Sequence, residues 1–160
     1  MKKLIALLHE NARYSTSELA VMLGRSESMI EEQMAELEND GIIRGYKAII
    51  DWERLDKAWV TAQICLKVVP ERDVGFEEIA ERIMAFDEVE SVHLMSGGCD
   101  LSVLVKAKTF QEVAAFVSKK LACLPHVTST ETSFVLRRYK DMGVELLDRT
   151  TDDRGRISLC

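Results

Sequence analysis

The sequence predicts an α+β protein: an N-terminal winged helix-turn-helix followed by a ferredoxin-like βαββαβ domain of the dimeric α/β-barrel type. Three observations carry this. Residues 15–41 read as two short helices with a tight turn between them. After Gly41 the helical spacing gives way to strand-like alternation. From Trp59 onward, apolar alternation and helical stripes follow one another in the order β-α-β-β-α-β.

The elements follow in order. Leu4, Ile5, Leu7 and Leu8 mark a first helix; Leu19, Ala20, Met22 and Leu23 mark a second. Ile30, Met34 and Leu37 mark a third, at the i, i+4, i+7 spacing of one helix face. Ser15 can cap the second helix, with Glu18 three residues on completing a capping box. Gly24 ends that helix, Ser26 caps the third and Gly41 ends it. Two helices around a Gly-containing turn form a helix-turn-helix, whose second helix enters the DNA major groove. The segment Ile42 to Ile50 suits two short strands turning near Arg44-Gly45, a wing or a hinge strand. Val60, Ala62, Ile64, Leu66 and Val68 alternate as a half-buried strand requires. Phe76, Ile79, Ala80, Ile83 and Met84 form a helical stripe; Val89 to Met95 is a strand. Ser96-Gly97-Gly98 is a turn before the strand Leu101 to Val105. Phe110, Val113, Ala114, Val117 and Leu121 form the second stripe, closed by Pro125, and Val127 to Leu136 is the last strand. The partition is therefore 1–50 for the DNA-binding module with its hinge strand, 51–140 for the ferredoxin-like domain and 141–160 for a C-terminal extension. In that extension, Gly143 to Leu147 can turn at Asp152 to Gly155 and return through Arg156 to Leu159 as a small hairpin.

An open sheet with both helices on one face leaves its other face to solvent or a partner. Leu104 sits opposite Leu101, Val103 and Val105, and Phe134 and Leu136 sit opposite Val135. Near-continuous apolar strands imply burial on both faces, and hence a homodimer.

Composition narrows the classes. The apolar start Leu4 to Leu8 stops at His9 and Glu10 with no small-residue cleavage site, and no stretch reaches membrane-spanning length. The four cysteines, Cys65, Cys99, Cys123 and Cys160, form no CxxC pair, and the expectation is a cytoplasmic protein with reduced thiols. His9, His93 and His126 are scattered, so no metal, cofactor or catalytic residue is expected. Trp52 and Trp59 read as anchors of packing between the two halves rather than as base-stacking groups.

Four stretches in order resemble one family. Asn11 to Ala20 is similar to the N-terminal signature of the Lrp/AsnC (feast/famine) transcription regulators, and Gly41 to Asp51 to their hinge signature. Ser96 to Leu101 resembles their Gly-x-Tyr/Phe-Asp loop, and Thr130 to Leu136 their last strand. The resemblance implies a regulator of promoter DNA, assembled as dimers and higher oligomers such as octamers, with a small effector, usually an amino acid, bound between sheet domains. By position it implies effector contacts from Ser96, Gly97, Gly98 and Asp100, with Thr130 and Thr132 nearby. Asp100 would accept an ammonium, and the backbone N–H groups of the glycine turn would hold a carboxylate. At Cys99 the chain departs from the family, where an aromatic residue is common.

The charge pattern qualifies the DNA reading. The chain carries a net charge of −6, and positions 1–50 hold six basic against eight acidic residues. The outward residues of the third helix are Glu27, Ser28, Glu31, Glu32, Gln33 and Glu36. Phosphate neutralisation dominates DNA affinity, so docking falls to Arg13, Arg25, Ser26, Ser28, Gln33 and Lys47, with Lys2 and Lys3. The alternatives are an amino-acid sensor or assembly protein that does not bind DNA, and a haem-biosynthesis decarboxylase-like enzyme. The enzyme requires a His/Arg cluster that three dispersed histidines do not supply.

Overall fold

The computed structural model describes residues 1–55, 59–69 and 75–147. The chain forms two compact units, Met1–Ala48 and Ile49–Cys160.

In the first unit, α1 (Lys2–Glu10), α2 (Thr16–Leu23) and α3 (Glu27–Asn39) enclose one apolar cluster. Leu4, Leu19, Ile30 and Leu37 are completely buried. The local signals act as the sequence predicts. The Ser15 hydroxyl accepts the Glu18 N–H at 3.2 Å, while the Ser15 N–H donates to the Glu18 carboxylate at 2.8 Å. That pair of bonds satisfies donors the helix itself leaves open, and the Ser15 N–H, with the Ser15 hydroxyl donating to the same carboxylate, holds the Glu18 carboxyl below its usual range. Gly24 takes φ +64° and Gly41 φ +66°. Behind them Arg25 N–H returns to the Ala20 carbonyl at 3.0 Å and Ile42 N–H to that of Leu37 at 2.9 Å. Both helices thus end in the left-handed turn that glycine adopts at least cost.

The segment after α3 differs from expectation. Residues 44–50 form no regular element and no ladder, so the strand pair turning at Arg44-Gly45 is absent. Tyr46 instead reaches back to α3, its hydroxyl donating to Glu38 at 3.0 Å. A strand needs an edge with matching free N–H and C=O groups, and no such ladder with 44–50 is formed among the described residues.

The second unit has β1 (Val60–Val68), α4 (Phe76–Met84), β2 (Val89–Leu94), β3 (Leu101–Ala107), α5 (Phe110–Phe116) and β4 (Val127–Phe134). A single π turn, Val117–Leu121, extends α5. The antiparallel sheet runs β2-β3-β1-β4, the ferredoxin-like order. One face of the central strands, with Ala62, Ile64, Leu66, Leu101, Val103 and Val105, is buried against Ile79 and Ile83 of α4 and Val113 and Phe116 of α5.

The opposite face is more polar than predicted. The register places Gln63 and Cys65 opposite Leu104 and Ser102 there, and the Gln63 amide donates to the Ser102 hydroxyl at 3.0 Å. Phe134 pairs with Ala62 and so belongs to the helix side, where its ring meets Phe110 edge-on at 4.8 Å. β4 ends at Phe134, before Val135 and Leu136. The apolar residues on that side are Leu104 within β3 and, just beyond β4, Val135, whose N–H donates to the Thr61 carbonyl at 2.9 Å, so the apolar far face is narrower than strand composition suggests.

Beyond β4 a small hairpin forms from β5 (Lys140–Asp141) and β6 (Val144–Glu145), around Met142 and Gly143. It lies earlier than the predicted one, whose turn at 152–155 and return strand fall outside the described residues. Trp52 and Trp59 flank one lysine: the Lys106 ammonium lies 4.1 Å and 5.0 Å from their ring centres.

Candidate functional site

Each unit carries one set of expected site residues. In the helix-turn-helix, α3 exposes Glu27, Ser28, Glu31, Glu32 and Glu36, and its buried side is Ile30 and Leu37. Its outer face is thus acidic in three dimensions as well as in sequence. Gln33 is half-buried, and Arg25 donates to its side-chain carbonyl oxygen at 2.6 Å at the exposed surface. Two groups expected to reach DNA separately are therefore tied together across the turn. Ser26 acts as the cap of α3, accepting the Met29 N–H at 3.4 Å, and its hydroxyl lies 3.1 Å from that of Ser28. Arg13 and Lys47 are exposed. Lys2, Lys3 and Arg25 line one cavity of about 300 Å³ beside Leu4 and Leu23, so the N-terminal lysines and the turn arginine form one basic corner. Positive charge thus gathers around α3 and not along it.

In the sheet unit the expected effector residues divide. Ser96, Gly97 and Gly98 are exposed at the turn between β2 and β3, and Gly97 takes φ +136°, a conformation costly for any residue with a side chain. The Met95 N–H donates to the Asp100 carbonyl at 2.8 Å and closes the loop. Asp100 is bound to the end of β1. Its N–H donates to the Leu66 carbonyl at 3.0 Å, its Oδ2 accepts the Val68 N–H at 2.9 Å, and Lys67 Nζ lies 3.4 Å from Oδ1. The Val68 N–H, with the Lys67 ammonium adding to it against the cost of burial, holds the Asp100 carboxyl below its usual range. Thr130 and Thr132 pair with Leu66 and Ile64, on the other side of β1 from β3. β1 therefore separates the two threonines from the loop within one chain.

Sequence reasoning missed two participants, Lys67 and Cys65. Cys65 is bonded to Cys99 through a disulfide, with Cα atoms 5.4 Å apart, so the expectation of wholly reduced, unpaired thiols is corrected. The signal available was strand alternation, which puts Cys65 and Lys67 on one face of β1. Nothing local marks that face as adjoining the loop. A larger cavity, about 490 Å³, is lined by Trp59, Glu88, Lys106, Phe116 and Lys120 among others, and contains none of the expected effector residues.

Known proteins share both units. Residues 61–145 match the family model described as the Lrp/AsnC ligand binding domain, and residues 1–44 match that of a winged helix-turn-helix DNA-binding module. The chain is 44% identical over 156 residues to the HTH-type transcriptional regulator YugG of Bacillus subtilis, covering 97% of this chain and 93% of that protein. It is 30% identical over 145 residues to the leucine-responsive regulatory protein of Haemophilus influenzae, covering 91% and 87%. A transcriptional regulator of Neisseria meningitidis solved with L-methionine superposes with a TM-score of 0.70 at 26% identity, over 87% of this chain and 89% of that one. With both modules matched in order, in a chain of helix-turn-helix and sheet units, this protein belongs to the Lrp/AsnC family of transcriptional regulators.

Proposed function

We infer that this regulator recognises promoter DNA through α3 and responds to an amino acid held at the Ser96–Asp100 loop. The observation that carries the effector half is the loop itself. An exposed glycine turn is fastened to β1 by Asp100, so its geometry is set before any ligand arrives. Backbone N–H groups at such a turn suit a carboxylate. Each Asp100 oxygen accepts one bond from β1 and keeps a lone pair for an ammonium. Thr130 and Thr132 join the site from a second copy, because β1 separates them from the loop within one chain. The relative from Neisseria meningitidis solved with L-methionine supports this ligand class. Calorimetric titration with L-methionine, L-leucine and the other amino acids tests it; heat with at least one is expected, and silence with all of them removes the effector reading.

The working unit is a homodimer, extending to higher oligomers, in the cytoplasm. Residues 44–50, outside any ladder among the described residues and with Ile49 and Ile50 exposed, offer backbone and apolar surface for a second copy. Sedimentation showing only monomer at micromolar concentration overturns it. The dimer presents two α3 helices to half-sites about one helical turn apart or a multiple of it. Lys2, Lys3, Arg13, Arg25 and Lys47 grip phosphates around each, with Ser28 on α3 beside them. Binding to the protein's own upstream DNA across a salt series counts these contacts, with a slope of roughly 0.9 per phosphate. The exposed row Glu27, Glu31, Glu32 and Glu36 favours a second reading, a sensor that assembles without DNA. Absence of a complex at low salt and micromolar protein selects that reading.

A further inference from the structure

We propose that Cys65 and Cys99 are a reversible dithiol–disulfide couple that locks and releases the Ser96–Asp100 loop. Its consequence for ligand binding rests on the effector reading above; its chemistry does not.

The two cysteines are 34 residues apart in sequence and come from different elements, one mid-strand in β1 and one in the loop. The fold alone brings them to a Cα separation of 5.4 Å, within the range a disulfide spans. Cys65 lies on the sheet face away from α4 and α5, opposite Ser102, so no helix covers it. Cys99 is half-buried and directly follows the exposed Gly97 and Gly98. Cys99, beside the exposed turn, is therefore the sulfur that a small thiol or disulfide reaches, and half-buried Cys65 has only to react with its neighbour.

Its position gives the bond a mechanical role. Asp100 already ties the loop to the end of β1 through the Val68 N–H and Lys67. The Cys65–Cys99 bond adds a second tie to the same strand, from the loop residue immediately before Asp100. With both ties the loop has no hinge at its C-terminal side. In the disulfide form Cys99 Sγ lies 3.1 Å from the Leu101 carbonyl oxygen, an acceptor within reach of the S–H that reduction creates. Reduction removes the covalent tie at Cys99 and leaves the loop its Met95–Asp100 backbone bond and the Asp100 anchor to Val68.

The oxidant is a small-molecule disulfide, RSSR. The Cys99 thiolate attacks one of its sulfurs, the RS–SR bond breaks and RS⁻ leaves. The Cys65 thiolate then attacks the Cys99 sulfur of the mixed disulfide, forming the intramolecular bond and expelling a second RS⁻. The protein loses two electrons and RSSR gains them; the protons of the two cysteines end on the two RS⁻. Excess RSH runs the sequence backward.

The test uses the full chain equilibrated in a series of oxidised-to-reduced glutathione ratios, alkylated and peptide-mapped by mass spectrometry. A Cys65–Cys99-linked peptide is expected to appear with oxidation and disappear with excess thiol. In parallel, amide exchange over residues 96–101 is expected to slow by about tenfold on oxidation, a coupling of ordinary size. Cys65→Ser and Cys99→Ser should each abolish that response, leaving exposed Cys123 without effect. No linked peptide at any ratio, a link that excess thiol does not open, unchanged exchange, or a response persisting in both variants overturns the proposal. L-methionine titrated into both forms separates the two readings. A difference in affinity of about tenfold supports the gate, and equal affinity removes the gate. Heat with neither form counts against the effector reading alone, and the exchange experiment still decides the couple.

Discussion

Ser15 and Asp100 show how one side chain can hold a local geometry, and they do it in different ways. Ser15 closes a box within four residues, so its contribution follows from the sequence. Ser15→Ala should destabilise the helix-turn-helix by about 1 kcal/mol, read from the urea midpoint of the helical signal. Asp100 acts on residues more than thirty positions away, Val68 and Lys67. Its carboxyl titrates lower in the fold than in the unfolded chain, mainly through the Val68 N–H. The stability this confers is complete above the unfolded range near about pH 4 and is lost as pH falls through the lowered folded value. Protection of the loop amides should therefore decline on acidification, and Asp100→Asn should flatten that decline. An unchanged acid profile in the variant assigns the titration to another group. Arg25 and Gln33 carry the same lesson for recognition: read singly, each reaches outward separately, yet at the surface they are bonded to one another.

Among the elements, α2 and α3 are bounded by signals that need no tertiary help. Gly24 occupies the left-handed region, and nothing lies within 4 Å of where a side chain's first carbon would sit. Gly24→Ala should consequently cost only the backbone term, roughly 1–2 kcal/mol, with no added steric loss. A much larger loss, measured by denaturant midpoint, would reveal packing at the turn that the structure lacks. The acidic face of α3 is an element-scale property too. Glu32→Lys should raise DNA affinity at low salt and steepen the salt slope by about 0.9 if it adds one phosphate contact. An unchanged slope places Glu32 away from the backbone. Residues 44–50 mark the limit of element reasoning: their composition suits strands, but a strand is a relation between two edges.

At the scale of the whole molecule, the described residues form two buried clusters with no shared residue, one around Leu4, Leu19, Ile30 and Leu37, the other around Ile64, Leu66, Val103 and Val113. Ile64 is completely buried at the sheet centre, so Ile64→Ala should destabilise its own unit by about 2–5 kcal/mol. Residue-resolved hydrogen exchange should show that loss in the strands and spare α1 to α3. Equal loss in both units would mean that they unfold together. The family assignment also lives at this scale, since it needs both modules in one chain and in this order.

What the sequence determined by itself was whatever depends on neighbours along the chain. The capping box at Ser15, the glycine ends at Gly24 and Gly41, the helical stripes and the β-α-β-β-α-β order were all readable, because three- or four-residue spacing and alternation report burial directly. Only the tertiary structure decided what depends on residues far apart. It paired Cys65 with Cys99, bound Asp100 to β1, turned Phe134 toward Phe110 and left the far face of the sheet partly polar. Alternation says that a strand has two faces. Which face meets the helices, and which loop lies against it, is settled by register and packing, which no local pattern encodes.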